Sequence, residues 1–209
     1  MHIQRGQMAS AESVYQNALA FTKSMDSGTV GELKHILTMM LKAYCDQGAS
    51  EQALDVFEVM MSTGVMRDIM HYRMLFGVLD IAKRVEMYQR AITDGVFPAP
   101  NEQALQAVDL RNLSGAESVA YFILHIDMLQ KHRTTDESFQ LTDLRIVMSS
   151  GDNHKQLHEF VSKFPITIQS RGDVSVGVFA KTDLEKLLRR WTTKREQLLK
   201  PARRKKTAK

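Results

Sequence analysis

The stretch Gly48-Ala49-Ser50-Glu51-Gln52-Ala53-Leu54-Asp55-Val56-Phe57 reads as a second copy of Gly6-Gln7-Met8-Ala9-Ser10-Ala11-Glu12-Ser13-Val14-Tyr15. Each has a Gly, an Ala five residues later, then Val and an aromatic at matching offsets. Small and apolar residues at that spacing give a helix one packed stripe, with the Gly ending the preceding turn. Ahead of Gly48, Leu33, Ile36, Leu37, Met40, Leu41 and Tyr44 recur at three- and four-residue steps, which predicts a helix over Leu33 to Cys45. Gly64, in Ser62-Thr63-Gly64-Val65, suits the left-handed position just past a helix end. A further unit opens at Asp68-Ile69-Met70-His71-Tyr72 and closes at Thr93-Asp94-Gly95-Val96, with Pro98 and Pro100 as its exit. Such hairpins cannot bury their apolar faces alone and must stack.

Outward from this array the pattern changes. After Pro100, Leu105 to Leu110 is a short apolar run that predicts a strand. Ser114, with Glu117 three residues on, makes a capping box for a helix reaching about Gln130, followed by a polar loop from Lys131 to Gln140. Leu144 to Met148 predicts a second strand and His154 to Lys163 a short helix. Ile166 to Ile168 and Val174 to Phe179 alternate as strands around Arg171-Gly172-Asp173. A last helix starts near Asp183 and carries Leu184, Leu187, Leu188 and Trp191 on one face. The order strand, helix, strand, helix, strand, strand, helix fits a compact α/β sandwich. The fold class expected is therefore α plus α/β: a short α-solenoid of hairpins over residues 6–97, an α/β sandwich over 103–192, and a basic tail over 193–209.

Charge is split along the chain. From Lys186 to Lys209 eleven Lys and Arg face one acid, Glu196, a net of +10. The other 185 residues hold 17 basic and 23 acidic side chains, a net of −6. The body is mildly acidic, so contacts to nucleic-acid phosphates fall to local features or to Arg203-Arg204-Lys205-Lys206. No apolar run nears the ~20 residues of a membrane helix, and no membrane partner is expected. The single cysteine, Cys45, excludes an internal disulfide and reads as a buried structural thiol. His154 and His158 have ligand spacing on a helix but lack the Glu and the third ligand of a zinc site, so no metal site is expected. The start, Met1 to Gly6, has neither an apolar signal core nor an amphipathic presequence, and opening inside a repeat points to sequence upstream.

Two family resemblances follow. Leu41-Lys42-Ala43-Tyr44-Cys45-Asp46-Gln47-Gly48, then Glu51 to Met60, Thr63-Gly64-Val65 and Asp68, resemble the pentatricopeptide repeat, with one full repeat, one shortened and one partial. The resemblance implies single-stranded RNA binding with about one base read per repeat. Its two reading positions fall on Thr38 and Asp68, a pair the family associates with a purine, and on Arg73 in the shortened repeat. Val108-Asp109-Leu110-Arg111-Asn112, then Leu113-Ser114 and Ala116-Glu117, resemble the first motif of the Smr domain. The second motif keeps only Gly151, in Met148-Ser149-Ser150-Gly151. Carried over, Asp109, Arg111 and Gly151 would be catalytic residues of an endonuclease, with a divalent cation as cofactor only in that case. The alternative is that Asp109 caps a strand end and Arg111 pairs with it or with Glu117. The function expected is non-catalytic RNA binding in organellar RNA metabolism (mitochondrion or chloroplast), with ribonucleoprotein partners. An Smr-type endonuclease and a scaffold subunit of a ribonucleoprotein particle remain the other readings.

Overall fold

The structure is a computed structural model that describes residues 12–13, 15–17, 20, 30–149, 155–171 and 173–200. The chain forms two compact units that divide between Leu79 and Asp80.

The first unit contains α1 (Val30–Asp46), α2 (Ser50–Ser62) and α3 (Ile69–Val78). The described residues between 12 and 20 are helical too, while most of the helix expected over Met8 to Phe21 lies outside the described residues. Each of α1, α2 and α3 packs against the other two. Their shared core takes Leu33, Leu37, Met40 and Leu41 from α1, then Ala53, Val56, Phe57 and Met60 from α2. Tyr72, Leu75 and Phe76 of α3 complete it, with the Tyr72 ring edge-on to Phe57 at 5.0 Å.

The helix ends follow the glycines. Gly64 has φ 70°. Its N–H reaches the Met61 carbonyl at 3.2 Å and the Val65 N–H reaches Met60 at 2.9 Å. That paired bonding satisfies the last carbonyls of a helix and needs a left-handed residue, which glycine adopts without steric cost. Gly48 ends α1 in the same way.

The second unit holds α4 (Ile81–Thr93), β1 (Ala107–Asp109), α5 (Gly115–Thr135), β2 (Leu144–Ser149) and α6 (Lys155–Val161). It continues with β3 (Ile166–Arg171), β4 (Val174–Phe179), α7 (Lys181–Arg189) and α8 (Trp191–Leu199). The sheet runs β1-β2-β4-β3. Parallel β1 and β2 are joined through α5, and β4 pairs antiparallel with both β2 and β3. Leu144, Ile146 and Met148 face the core beside Ser175, Gly177 and Phe179, whereas Arg145 and the half-buried Val147, Val176 and Val178 lie on the opposite face.

The unit break differs from the expected segmentation. The repeat pattern runs through residue 97, yet α4 packs against α5 and belongs with the sheet. The reason is written in α5, which is buried without interruption from Glu117 to Ile126. A helix apolar all round needs cover on more than one side. Phe122 meets Phe160 and Phe164, and Phe164 meets Phe179 of β4, while Tyr121 meets Tyr88 of α4 edge-on at 6.0 Å. Ser114 caps α5 as its spacing predicts: its backbone N–H donates to Glu117 Oε2 at 2.8 Å, and Glu117 N–H returns to Ser114 Oγ at 3.4 Å. The helix runs to Thr135, past the expected end near Gln130. The single closing helix is two, because the chain breaks at Arg190 (φ −111°, ψ 8°) and Trp191 begins α8.

Candidate functional site

In the first unit the two expected base-reading residues come together through two residues the motif did not flag. Asp68 is the N-cap of α3, with Oδ1 accepting from Met70 N–H at 3.0 Å and His71 N–H at 3.4 Å. His71, buried to 2 % exposure, lies between Asp68 and Thr38. Its Nδ1 stands 3.2 Å from the Asp68 backbone N and 2.8 Å from Asp68 Oδ1, and its Nε2 is 2.9 Å from Thr38 Oγ1. Lys34 Nζ reaches Asp68 Oδ2 at 3.5 Å. Burial disfavours the Asp68 carboxylate, but His71 and the backbone N–H groups of Met70 and His71 outweigh it and hold Asp68 below its usual range.

Asp68, His71 and Thr38 stand in the carboxylate–imidazole–hydroxyl order of a nucleophilic triad, but the protons are placed the other way round. The one Thr38 hydroxyl hydrogen goes to the Lys34 carbonyl at 2.7 Å. His71 Nε2–H therefore donates to Thr38, and no hydroxyl proton is left for the imidazole to take. What the cluster offers a ligand is a half-exposed carboxylate, a hydroxyl oxygen and the Lys34 ammonium. Exposed Met66, Ile69 and Met70 flank Asp68 along the chain, and exposed Met39 follows Thr38. Arg73 is exposed on α3. His71 was legible as the third residue after Asp68, the capping-box offset with His in place of Glu or Gln.

In the second unit Asp109 ends β1 and Arg111 follows it. Arg111 Nε donates to both Asp109 oxygens, at 2.9 and 3.1 Å, and Nη2 donates to Oδ2 at 2.6 Å. The Arg111 backbone N–H adds a bond to Oδ1 at 3.1 Å. The guanidinium thus holds the Asp109 carboxyl below its ordinary value. Glu117 turns instead to the Ser114 cap. Ser149 Oγ donates to the Arg111 carbonyl at 3.3 Å and ties the ends of β1 and β2. An Asp109 so engaged is a strand-end clamp, and a phosphate bound by Arg111 must displace it.

Gly151 and the basic residues Arg203, Arg204, Lys205 and Lys206 lie outside the described residues. Among the described residues no group of three or more His, Cys, Asp or Glu is arranged to hold a metal ion, and no helix is long and apolar enough to cross a membrane. Cys45 is a free, partly buried thiol that burial pushes up to about 11. Compared with family models, curated proteins and solved structures, the chain matches none.

Proposed function

We propose that this protein binds single-stranded RNA without cleaving it, through the Lys34–Thr38–Asp68–His71 notch of its helical unit. The observation that carries the reading is the meeting of Thr38 and Asp68, 30 residues apart in sequence, on one polar cluster. Two acceptor side chains next to an ammonium suit the donor-and-acceptor edge of a purine, and the exposed methionines give a soft, polarizable border for its faces. The resemblance to pentatricopeptide and Smr-type proteins supports a place in organellar RNA metabolism with ribonucleoprotein partners. The closed Asp109–Arg111 pair counts against the endonuclease reading.

The test is fluorescence anisotropy with labelled single-stranded RNAs rich in guanine or in uridine, with and without Mg²⁺. A base contact of roughly 1–3 kcal/mol makes Thr38→Ala weaken guanine-rich RNA about 5- to 150-fold. Asp68→Asn keeps an N-cap oxygen for α3 while replacing a carboxylate oxygen by an amide, so it should shift base preference rather than unfold the unit. Wild-type protein that retains no RNA at low salt, or variants with unchanged affinity and preference, would sink the reading. Mg²⁺-dependent loss of full-length RNA that Asp109→Ala abolishes would restore the nuclease.

A further inference from the structure

The second unit carries a cleft at the opposite end of β1 from the Asp109–Arg111 pair. That pair closes the carboxyl ends of β1 and β2, whereas two adjoining grooves open where β1 and β2 begin and β4 ends. One is about 670 Å³ and the other about 590 Å³, and they share Gln106, Ala107 and Gln140 as a common wall. The first is crossed by Arg145 of β2, which pairs in register with Val178 of β4 and Ala107 of β1. Lys181, the first residue of α7, also lines it. Neither cation has a carboxylate partner among the described residues.

The two acids of the lining, Asp143 and Asp136, each turn one oxygen to neutral donors and keep their charge. Asp143 Oδ1 accepts the Lys181 backbone N–H at 2.8 Å. Asp136 Oδ1 accepts Ser138 N–H at 2.9 Å and Ser138 Oγ–H at 2.6 Å. The second groove is bordered by the half-buried Phe139, whose ring leans on His132 at 6.0 Å. Amides of Gln103, Gln106 and Gln140 supply both donors and acceptors along the walls. A cleft that joins two cations, an aromatic ring and amide side chains has the parts that hold a single strand: charge for the phosphates, a face for a base, and hydrogen bonds for base edges.

We propose that this double groove holds a short single-stranded RNA segment, with Arg145 and Lys181 on phosphates and Phe139 under a base. The proposal rests on the reading of the chain as an RNA binder but assigns a site separate from the Thr38–Asp68 notch. With only two cations at work, the site contributes a modest salt dependence, about 0.7 in the log–log slope for each phosphate neutralised on a single strand.

The experiment titrates the full chain with labelled ten-nucleotide oligouridylate and oligoadenylate across a salt series, with uridine monophosphate as competitor. Arg145→Gln and Lys181→Gln should each flatten the slope by about 0.7, and Arg145→Lys should restore it. Phe139→Ala should weaken binding about fivefold or more with little change in slope. All three positions are exposed or half-exposed, and the unchanged fluorescence of Trp191 checks that the unit stays folded. RNA binding that survives all three groove variants but falls with Thr38→Ala overturns the groove and leaves the general reading intact. Competition by the mononucleotide as effective as the unlabelled strand overturns the single-strand assignment, and a wild type that binds no RNA retires both.

Discussion

Asp127 of α5 holds the closing helix. Trp191 Nε1–H donates to its Oδ1 at 2.6 Å, and Arg195 Nε–H donates to Oδ2 at 2.9 Å. Trp191 is 2 % exposed, so Asp127→Ala leaves a buried indole N–H without its acceptor. That desolvation costs about 1–3 kcal/mol. The Arg195 contact, with side chains 34 % and 28 % exposed, adds at most ~1 kcal/mol. Asp127→Asn keeps one oxygen for the indole but turns its amide NH2 toward Arg195, losing that partly exposed contact, so its cost stays near ~1 kcal/mol. The protein has a single tryptophan, so its intrinsic fluorescence during urea unfolding reports on this very helix. With a slope of about 1–3 kcal/mol/M, Asp127→Ala should lower the midpoint by roughly 1 M and Asp127→Asn by less than half as much. Two results would refute the reasoning: an alanine variant as stable as wild type, or an asparagine variant as damaged as the alanine one. The second would mean that the ion pair with Arg195, rather than the buried N–H, holds the helix in place.

Two further expectations concern stability. Gly64 has φ 70° and open space where a Cβ would sit, so Gly64→Ala should lose about 1–2 kcal/mol from backbone conformation alone. Gly77, inside α3 with equally open space and no positive φ, should gain ~0.5–1 kcal/mol as Gly77→Ala. Thermal melts of the two variants should move in opposite directions. His125 is buried, its Nε2–H donates to the Leu105 carbonyl at 3.0 Å, and burial pushes its pKa below the ordinary value of about 6.5. Below that pH the unfolded chain takes up a proton the folded one refuses, so stability falls as pH drops from about 6.5 toward the depressed folded value. His125→Gln should flatten that decline in urea midpoints between about pH 7.5 and 5; an unchanged slope would assign the acid sensitivity to other groups.

Much of the local structure was legible in the sequence because its causes lie within a few residues. Gly48, Gly64 and Gly95 all take positive φ at helix ends, since only glycine enters that region without a steric penalty. The Ser114–Glu117 cap and the order of strands and helices after Pro100 follow from offsets of three or four residues and from a change of hydrophobic period. The expected single closing helix failed at Arg190 because the apolar spacing of Leu184, Leu188 and Trp191 fits one continuous helix as well as two.

The sites were less legible, for the same reason turned around. Sequence by itself determined the Ser114 cap, the helix ends that glycines mark, which faces are apolar, and that Thr38 and Asp68 are polar positions on hairpins. Only tertiary structure decided that His71 and Lys34 join those two residues, that Arg111 closes on Asp109 rather than on Glu117, and that the strands lie in the order β1-β2-β4-β3. It also decided that α4 covers α5. The run Ala120 to Ile126 announces that α5 must be covered all round, but which helix covers it is a matter of long-range packing. Burying apolar area is favourable against any surface that fits, so a stripe fixes that a partner exists and leaves the choice of partner to shape.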